Sequence, residues 1–133
     1  VSAILYWALE KVNWAGFYLV KEGQLVLGPF HGQPACIRIP IGTGVCGTAV
    51  SEKAIQLVAD VHQFSGHIAC DAASNSEIVL PIWKDDQVIA VLDIDSPDIA
   101  RFDQEDKAGL SQIVEILQKT IVDVSSNTME AQK

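Results

Sequence analysis

The chain has 133 residues, 49% of them apolar and 20% charged, which suits one globular domain with its own core. Nine basic residues, scattered singly among 17 acidic ones, give a net charge of −8 and exclude a phosphate-tracking face, so neither nucleic acid nor an anionic membrane is an expected partner. No apolar run reaches the ~20 residues of a membrane span and no signal-peptide pattern opens the chain, so a cytoplasmic location is expected.

Residues 2–12 read as a helix, shortened at its start, with Ile4, Leu5, Ala8, Leu9 and Val12 in one stripe and Asn13 suited to its end. Residues 15–21 are aromatic-rich and strand-like. Residues 25–29 form a second short strand, and Glu22-Gly23 is the hairpin turn between the two. A strand continuing back to Trp14 puts Trp14 and Tyr18 on one face, where they suit a core as well as a pocket wall. Residues 30–35 read as a loop that delivers Cys36 to a short strand over 36–39. Thr43 then suits the N-cap of a helix over 44–52 that carries Cys46. The first-turn amides of that helix suit an anion such as a carboxylate. A short strand over 55–59 leads into a long irregular segment, 60–74, which holds His62, His67 and Cys70. Phe64 and Ile68 are there to order it over a site.

Residues 76–83 and 87–96 form the clearest hairpin. Alternation puts Val91, Asp93 and Asp95 on one face of the second strand and Val88, Ala90, Leu92 and Ile94 on the other, core face. The two aspartates then lie about 7 Å apart along the strand. A two-residue Asp85-Asp86 turn pairs Lys84 with Gln87 and sets Glu77 opposite Ile94, away from both aspartates. A three-residue turn, or a bulge made credible by Pro81, brings Glu77 round to them. A last helix begins at Asp103, with Glu105 and Asp106 suited to its N-terminal end. Leu110, Ile113, Val114, Leu117, Ile121 and Val124 form its stripe. Ile116 and Val122 lie off the stripe and suit cover by a partner subunit. A polar tail over 125–133 is expected to fray. The order of elements predicts an α+β domain spanning 1–133, with an antiparallel sheet of about six strands, terminal helices on one face and site loops on the other.

The chemistry gathers around three cysteines and three acids. An odd cysteine count argues against a secreted disulfide framework and leaves redox, metal or core roles. Cys70 sits in a polar loop near Glu77, Asp93 and Asp95, and negative neighbours disfavour a thiolate. Cys36, Cys46, His62, His67 and Cys70 lack the close ligand pairing of a zinc site, so no metal is expected.

Asn13-Trp14-Ala15-Gly16-Phe17-Tyr18, Leu27-Gly28-Pro29-Phe30, Pro34-Ala35-Cys36, Gly44-Val45-Cys46-Gly47, Gly66-His67-Ile68-Ala69-Cys70-Asp71, Ser76-Glu77-Ile78-Val79 and Leu92-Asp93-Ile94-Asp95-Ser96-Pro97 together resemble the free methionine-(R)-sulfoxide reductases, which are built on a GAF domain. The resemblance covers residues 7–117, with Asp86 where a turn glycine is more usual. It implies Cys70 as catalytic cysteine, Cys36 as resolver and Cys46 as a third cysteine able to join disulfide exchange. It implies Glu77, Asp93 and Asp95 in substrate binding and catalysis, and Trp14 and Tyr18 around the substrate's methyl end. It also implies thioredoxin as external reductant in place of a bound cofactor, and a homodimer.

The residue types fit that chemistry. Reducing a sulfoxide needs a soft nucleophile at sulfur, here Cys70, and a proton for the oxygen, here from Asp95 or Glu77. Acids crowded together cannot all ionise cheaply, and a remaining carboxylate pairs a free amino acid's ammonium. A non-enzymatic GAF sensor shares the fold without needing the cysteines. A thiol peroxidase wants a cation beside its cysteine.

Overall fold

A computed structural model describes residues 2–33, 36–64 and 74–131. The catalytic candidate Cys70, with His67 and Asp71, lies outside the described residues. The elements run α1 (Ser2–Ala8), β1 (Trp14–Lys21), β2 (Gln24–Gly32), β3 (Arg38–Pro40), α2 (Gly44–Glu52), β4 (Gln56–Val58), a 3-10 turn (Val61–Gln63), β5 (Ser76–Lys84), β6 (Gln87–Ser96) and α3 (Gln104–Ala131). The strands form one antiparallel six-stranded sheet in the order β3-β2-β1-β6-β5-β4. This is the α+β, GAF-like arrangement read from the sequence.

Strand alternation gives the sheet two buried faces. On one, Ala15, Ile78, Leu80, Ile82, Leu92 and Ile94 pack against Leu5 of α1 and Leu110 and Val114 of α3. On the other, Trp14, Tyr18, Val79 and Val91 meet Val45, Cys46, Ala49 and Val50 of α2. The second face is not a solvent face but a second core, and the polar groups lie within it.

Two bulges set the registers. Between Gly16 and Tyr18 of β1, strand β2 carries one residue too many, so Gly28 and Pro29 together face Phe17. Proline has no N–H to lose there. Between β5 and β6, Ile82 faces Ala90 while Trp83 faces Val88, leaving Ile89 as the extra residue. The Asp85-Asp86 turn has two residues at φ 52° and 65°, as a type I′ hairpin turn requires, with Lys84 paired to Gln87. The bulge therefore moves Glu77 from opposite Ile94 to directly opposite Asp95. It also moves Val88 off the face of Ala90 and into the core of Val91. Pro81 lies beyond the last β4 pair, Gln56 with Val79, where that side of β5 has no strand.

Several boundaries differ from the sequence reading. Helix α1 ends at Ala8, because Lys11 turns left-handed at φ 59° and the Asn13 amide bonds the Asp95 carbonyl. With so few turns only Leu5 of the stripe is fully buried, and Ile4 is exposed. Strand β2 runs on through Gly32, taking Phe30 and His31 from the expected loop, because β1 starts at Trp14 and offers them partners. The third strand begins at Arg38 rather than Cys36. Thr43 holds the N-cap position of α2 without a side-chain bond; its carbonyl accepts from the Gly47 amide instead. Helix α3 continues past Ser125 to Ala131. Its start is as read: the Asp103 and Asp106 side chains each accept from the other's amide, a reciprocal cap.

Gly47 lets α2 lie close to the preceding loop. A Cβ there would sit 2.6 Å from the Pro40 carbonyl oxygen, whereas one at Gly109 of α3 would meet nothing within 4 Å. Gly109→Ala should therefore stabilise by about 0.5–1 kcal/mol through helix propensity. Gly47→Ala should destabilise despite the same gain, because backbone must shift. Thermal unfolding of the two variants checks the opposite signs.

Candidate active site

Cross-strand pairing builds the site floor. Trp14, Gly16 and Tyr18 of β1 face Asp95, Asp93 and Val91 of β6, and on the far side Glu77 and Val79 of β5 face Asp95 and Asp93. Adjacent strands lie ~4.8 Å apart, so the register alone brings Glu77, Asp93 and Asp95 into one cluster. All three are at least nine-tenths buried, at 7%, 5% and 7% exposure.

Helix α2 closes the cluster from above. The Cys46 thiol, on its first turn, lies 3.9 Å from Glu77 Oε2. The Cys46 sulfur and one carboxylate oxygen each from Glu77 and Asp93 all lie within 4.8 Å of one another. Asp93 Oδ1 is buried with no hydrogen-bond partner among the described residues. Such an atom costs about 1–3 kcal/mol, a cost that a ligand donor or cation can remove.

Burial governs the ionisation of these groups. Loss of water pushes the Asp93 carboxyl up to about 8, with the charge of Asp95 adding to the effect. Glu77 rises well above the carboxylate range, first through burial and then through the charge of Asp93. Cys46 rises well above an ordinary thiol for the same reasons, with Asp93 and Glu77 as its main charged neighbours. Near neutral pH, Asp93 holds its proton and Cys46 is a thiol, and burial shifts Glu77 toward its protonated form. The Cys46 thiol is no ready nucleophile.

Two aromatics wall the cluster. Trp14 and Tyr18 are each 1% exposed, and their rings stack at 5.8 Å between centroids. Phe30 stacks on Trp14 at 5.5 Å and 14°. Gly16 makes room, since a Cβ there would lie 2.5 Å from the Phe30 Cβ and 2.7 Å from the Trp14 ring. Phe30 escaped the sequence reading because its loop-like context hid a strand; pairing with Gly16 was the missing signal.

The same aromatics hold the chain around Cys36. Tyr18 Oη donates to the Cys36 carbonyl at 2.9 Å, and Trp14 Nε1 donates to the Gln33 carbonyl at 3.1 Å. Cys36 is disulfide-bonded, whereas Cys46 is a buried free thiol. His62 is taken up in structure: its amide bonds Asp60 and its ring faces the Asn75 side chain at 3.0 Å.

A sheet of this order with a helix-covered acid cluster defines the protein's class, and the GAF domain profile matches residues 1–121. Free methionine-R-sulfoxide reductase of Escherichia coli K12 is 59% identical over 120 residues, 90% of this chain and 73% of that protein. The structure of fRMsr of Staphylococcus aureus in complex with substrate is similar at a TM-score of 0.84 and 62% identity, covering 89% of this chain and 77% of that one. Free methionine-R-sulfoxide reductase from Neisseria meningitidis, also in complex with its substrate, gives a TM-score of 0.86 at 45% identity, over 89% of this chain and 71% of that one. Within the GAF class, the chain belongs to the free methionine-(R)-sulfoxide reductase family.

The raised Asp93 carboxyl has a signed consequence. The unfolded chain loses this proton near pH 4, the folded protein only near pH 8. Between those values the native state binds more protons, so the group's contribution is full below pH 4, falls as pH rises and is gone above pH 8. Asp93→Asn should flatten stability against pH across that window, by up to about 1.4 kcal/mol per pH unit, as urea unfolding at stepped pH would show.

Proposed function

We propose that the chain reduces free L-methionine-(R)-sulfoxide to methionine. The observation that carries the reading is the buried group of Glu77, Asp93 and Asp95 under the Trp14–Tyr18 wall, with the Cys36 backbone bonded to that wall. Names and substrate complexes of the relatives support it.

Cys70 attacks the sulfoxide sulfur, and the oxygen takes a proton from Glu77, whose burial favours the protonated form. The methionine S–O bond breaks as the protonated oxygen passes to the Cys70 sulfur; methionine leaves with the sulfur electron pair, and Cys70 is left as a sulfenic acid. The Cys36 thiol displaces that oxygen as water, forming a disulfide. An external dithiol, thioredoxin, then exchanges it and is itself oxidised. The disulfide-bonded state of Cys36 beside a free Cys46 supports Cys36 as the resolver. Asp95 pairs the ammonium, with the neutral Asp93 beside it as a hydrogen-bond partner, which is what makes a free amino acid the substrate. The aromatics cover its methyl end.

A cytoplasmic setting fits a reductant of this kind, and no helix among the described residues is long and apolar enough to cross a membrane. A homodimer fits the exposed Ile4, Trp7 and Ile116.

The test is NADPH consumption with thioredoxin, its reductase and each methionine sulfoxide diastereomer. Consumption with the R form alone is expected. Consumption with neither would turn the reading to a ligand-binding GAF sensor. Cys70→Ser should abolish turnover. Cys36→Ser should release about one methionine per chain and then stop, as expected when only the first chemical step survives.

A further inference from the structure

The sequence offers histidines and cysteines as a possible zinc set, but the fold joins a different set of donors. Cys46 of α2, Glu77 of β5 and Asp93 of β6 present a sulfur and two carboxylate oxygens within 4.8 Å of one another. The Cys46 Sγ–Glu77 Oε2 separation is 3.9 Å. With metal–sulfur and metal–oxygen bonds of about 2.3 and 2.0 Å, a tetrahedral ion needs such donors about 3.5 Å apart. The Cys46–Glu77 pair lies within a few tenths of an ångström of that separation. An independent observation points the same way: Asp93, 95% withdrawn from solvent, keeps Oδ1 buried with no donor among the described residues. A cation or a donor is what that atom requires.

We propose that Cys46, Glu77 and Asp93 form a binding site for a borderline-soft divalent ion of the zinc and cadmium class. The donor set selects the class. A thiolate disfavours magnesium and calcium, which prefer all-oxygen shells, and three protein ligands with an open fourth position suit zinc or cadmium. As M²⁺ enters, the protons held by the three donors leave to solvent, and no electron is transferred. Three anionic ligands around M²⁺ leave one negative charge where three would otherwise be needed to ionise the cluster. The chain's net charge of −8 draws cations toward it. The same acids serve the proposed reduction, so a bound ion inhibits. That consequence rests on the functional reading, whereas the binding does not.

The test uses the disulfide form, in which Cys36 is bonded and Cys46 is free, titrated with cadmium chloride without thiol reductant or substrate. The readout is the ultraviolet thiolate-to-cadmium charge-transfer band. One equivalent per chain should saturate it. Cys46→Ser should remove the band, and Glu77→Gln and Asp93→Asn should each weaken binding by roughly tenfold or more, since even supporting groups act on that scale. Circular dichroism confirms that each variant is folded. No band in the unmodified protein overturns the proposal. So does a band of undiminished affinity in both carboxamide variants, which would mark a lone thiol binding cadmium. Turnover of free methionine-(R)-sulfoxide, measured separately with metal-free protein, reports on the functional reading alone.

Discussion

The structure depends on burying four ionisable groups together. Glu77, Asp93, Asp95 and Cys46 are each at most 7% exposed. Four negative charges cannot share such a space, because isolated buried charges cost far more than a domain's whole stability margin. The cluster therefore favours protonated forms of Glu77, Asp93 and Cys46, and that shapes its chemistry. Carboxyls that keep their protons at neutral pH can give one to a developing hydroxyl. A thiol in the same space stays protonated and is kept from competing as a nucleophile. The ion pairs Lys11–Asp98 and Arg101–Asp106 belong to the periphery and to the start of α3.

Holding acids in this way asks for a rigid floor. Central strands supply it, since β5 and β6 carry their ladders through the acids and on to Ser76 and Ser96. The end of that hairpin is tied down by side chains. Ser76 Oγ donates to the Asp98 carbonyl at 2.6 Å, and Asn75 Nδ2 to the Pro97 carbonyl at 2.6 Å. The opposite sheet face packs on α1 and α3, so the polar layer rests on an apolar one. The acids thereby lie on one face of the sheet, backed by the apolar core of the other.

The aromatic wall links the floor to the redox loop. Trp14 and Tyr18 each use a ring for packing and a polar tip for a backbone carbonyl, one at Gln33 and one at Cys36. The side chains that wall the acid cluster thus also hold the backbone at Gln33 and Cys36. Such sharing brings motifs that lie far apart in the chain to one place.

The sequence by itself determined the order of elements, the two-faced hairpin of β5 and β6, the pairing of Trp14 with Tyr18 and the family to which the motifs point. Those features rest on local periodicity, turn chemistry and residue type, which a linear chain displays. The tertiary structure decided the rest. It placed Glu77 beside Asp95 through one extra residue, Ile89, whose bulge leaves no mark in alternation. It carried β2 through Phe30, because a strand's end depends on its partner. It set Cys46 over the acids, because a helix start read from sequence says nothing about which sheet face the helix will cover. Register, partner and packing are relations between distant segments, and no single segment encodes them.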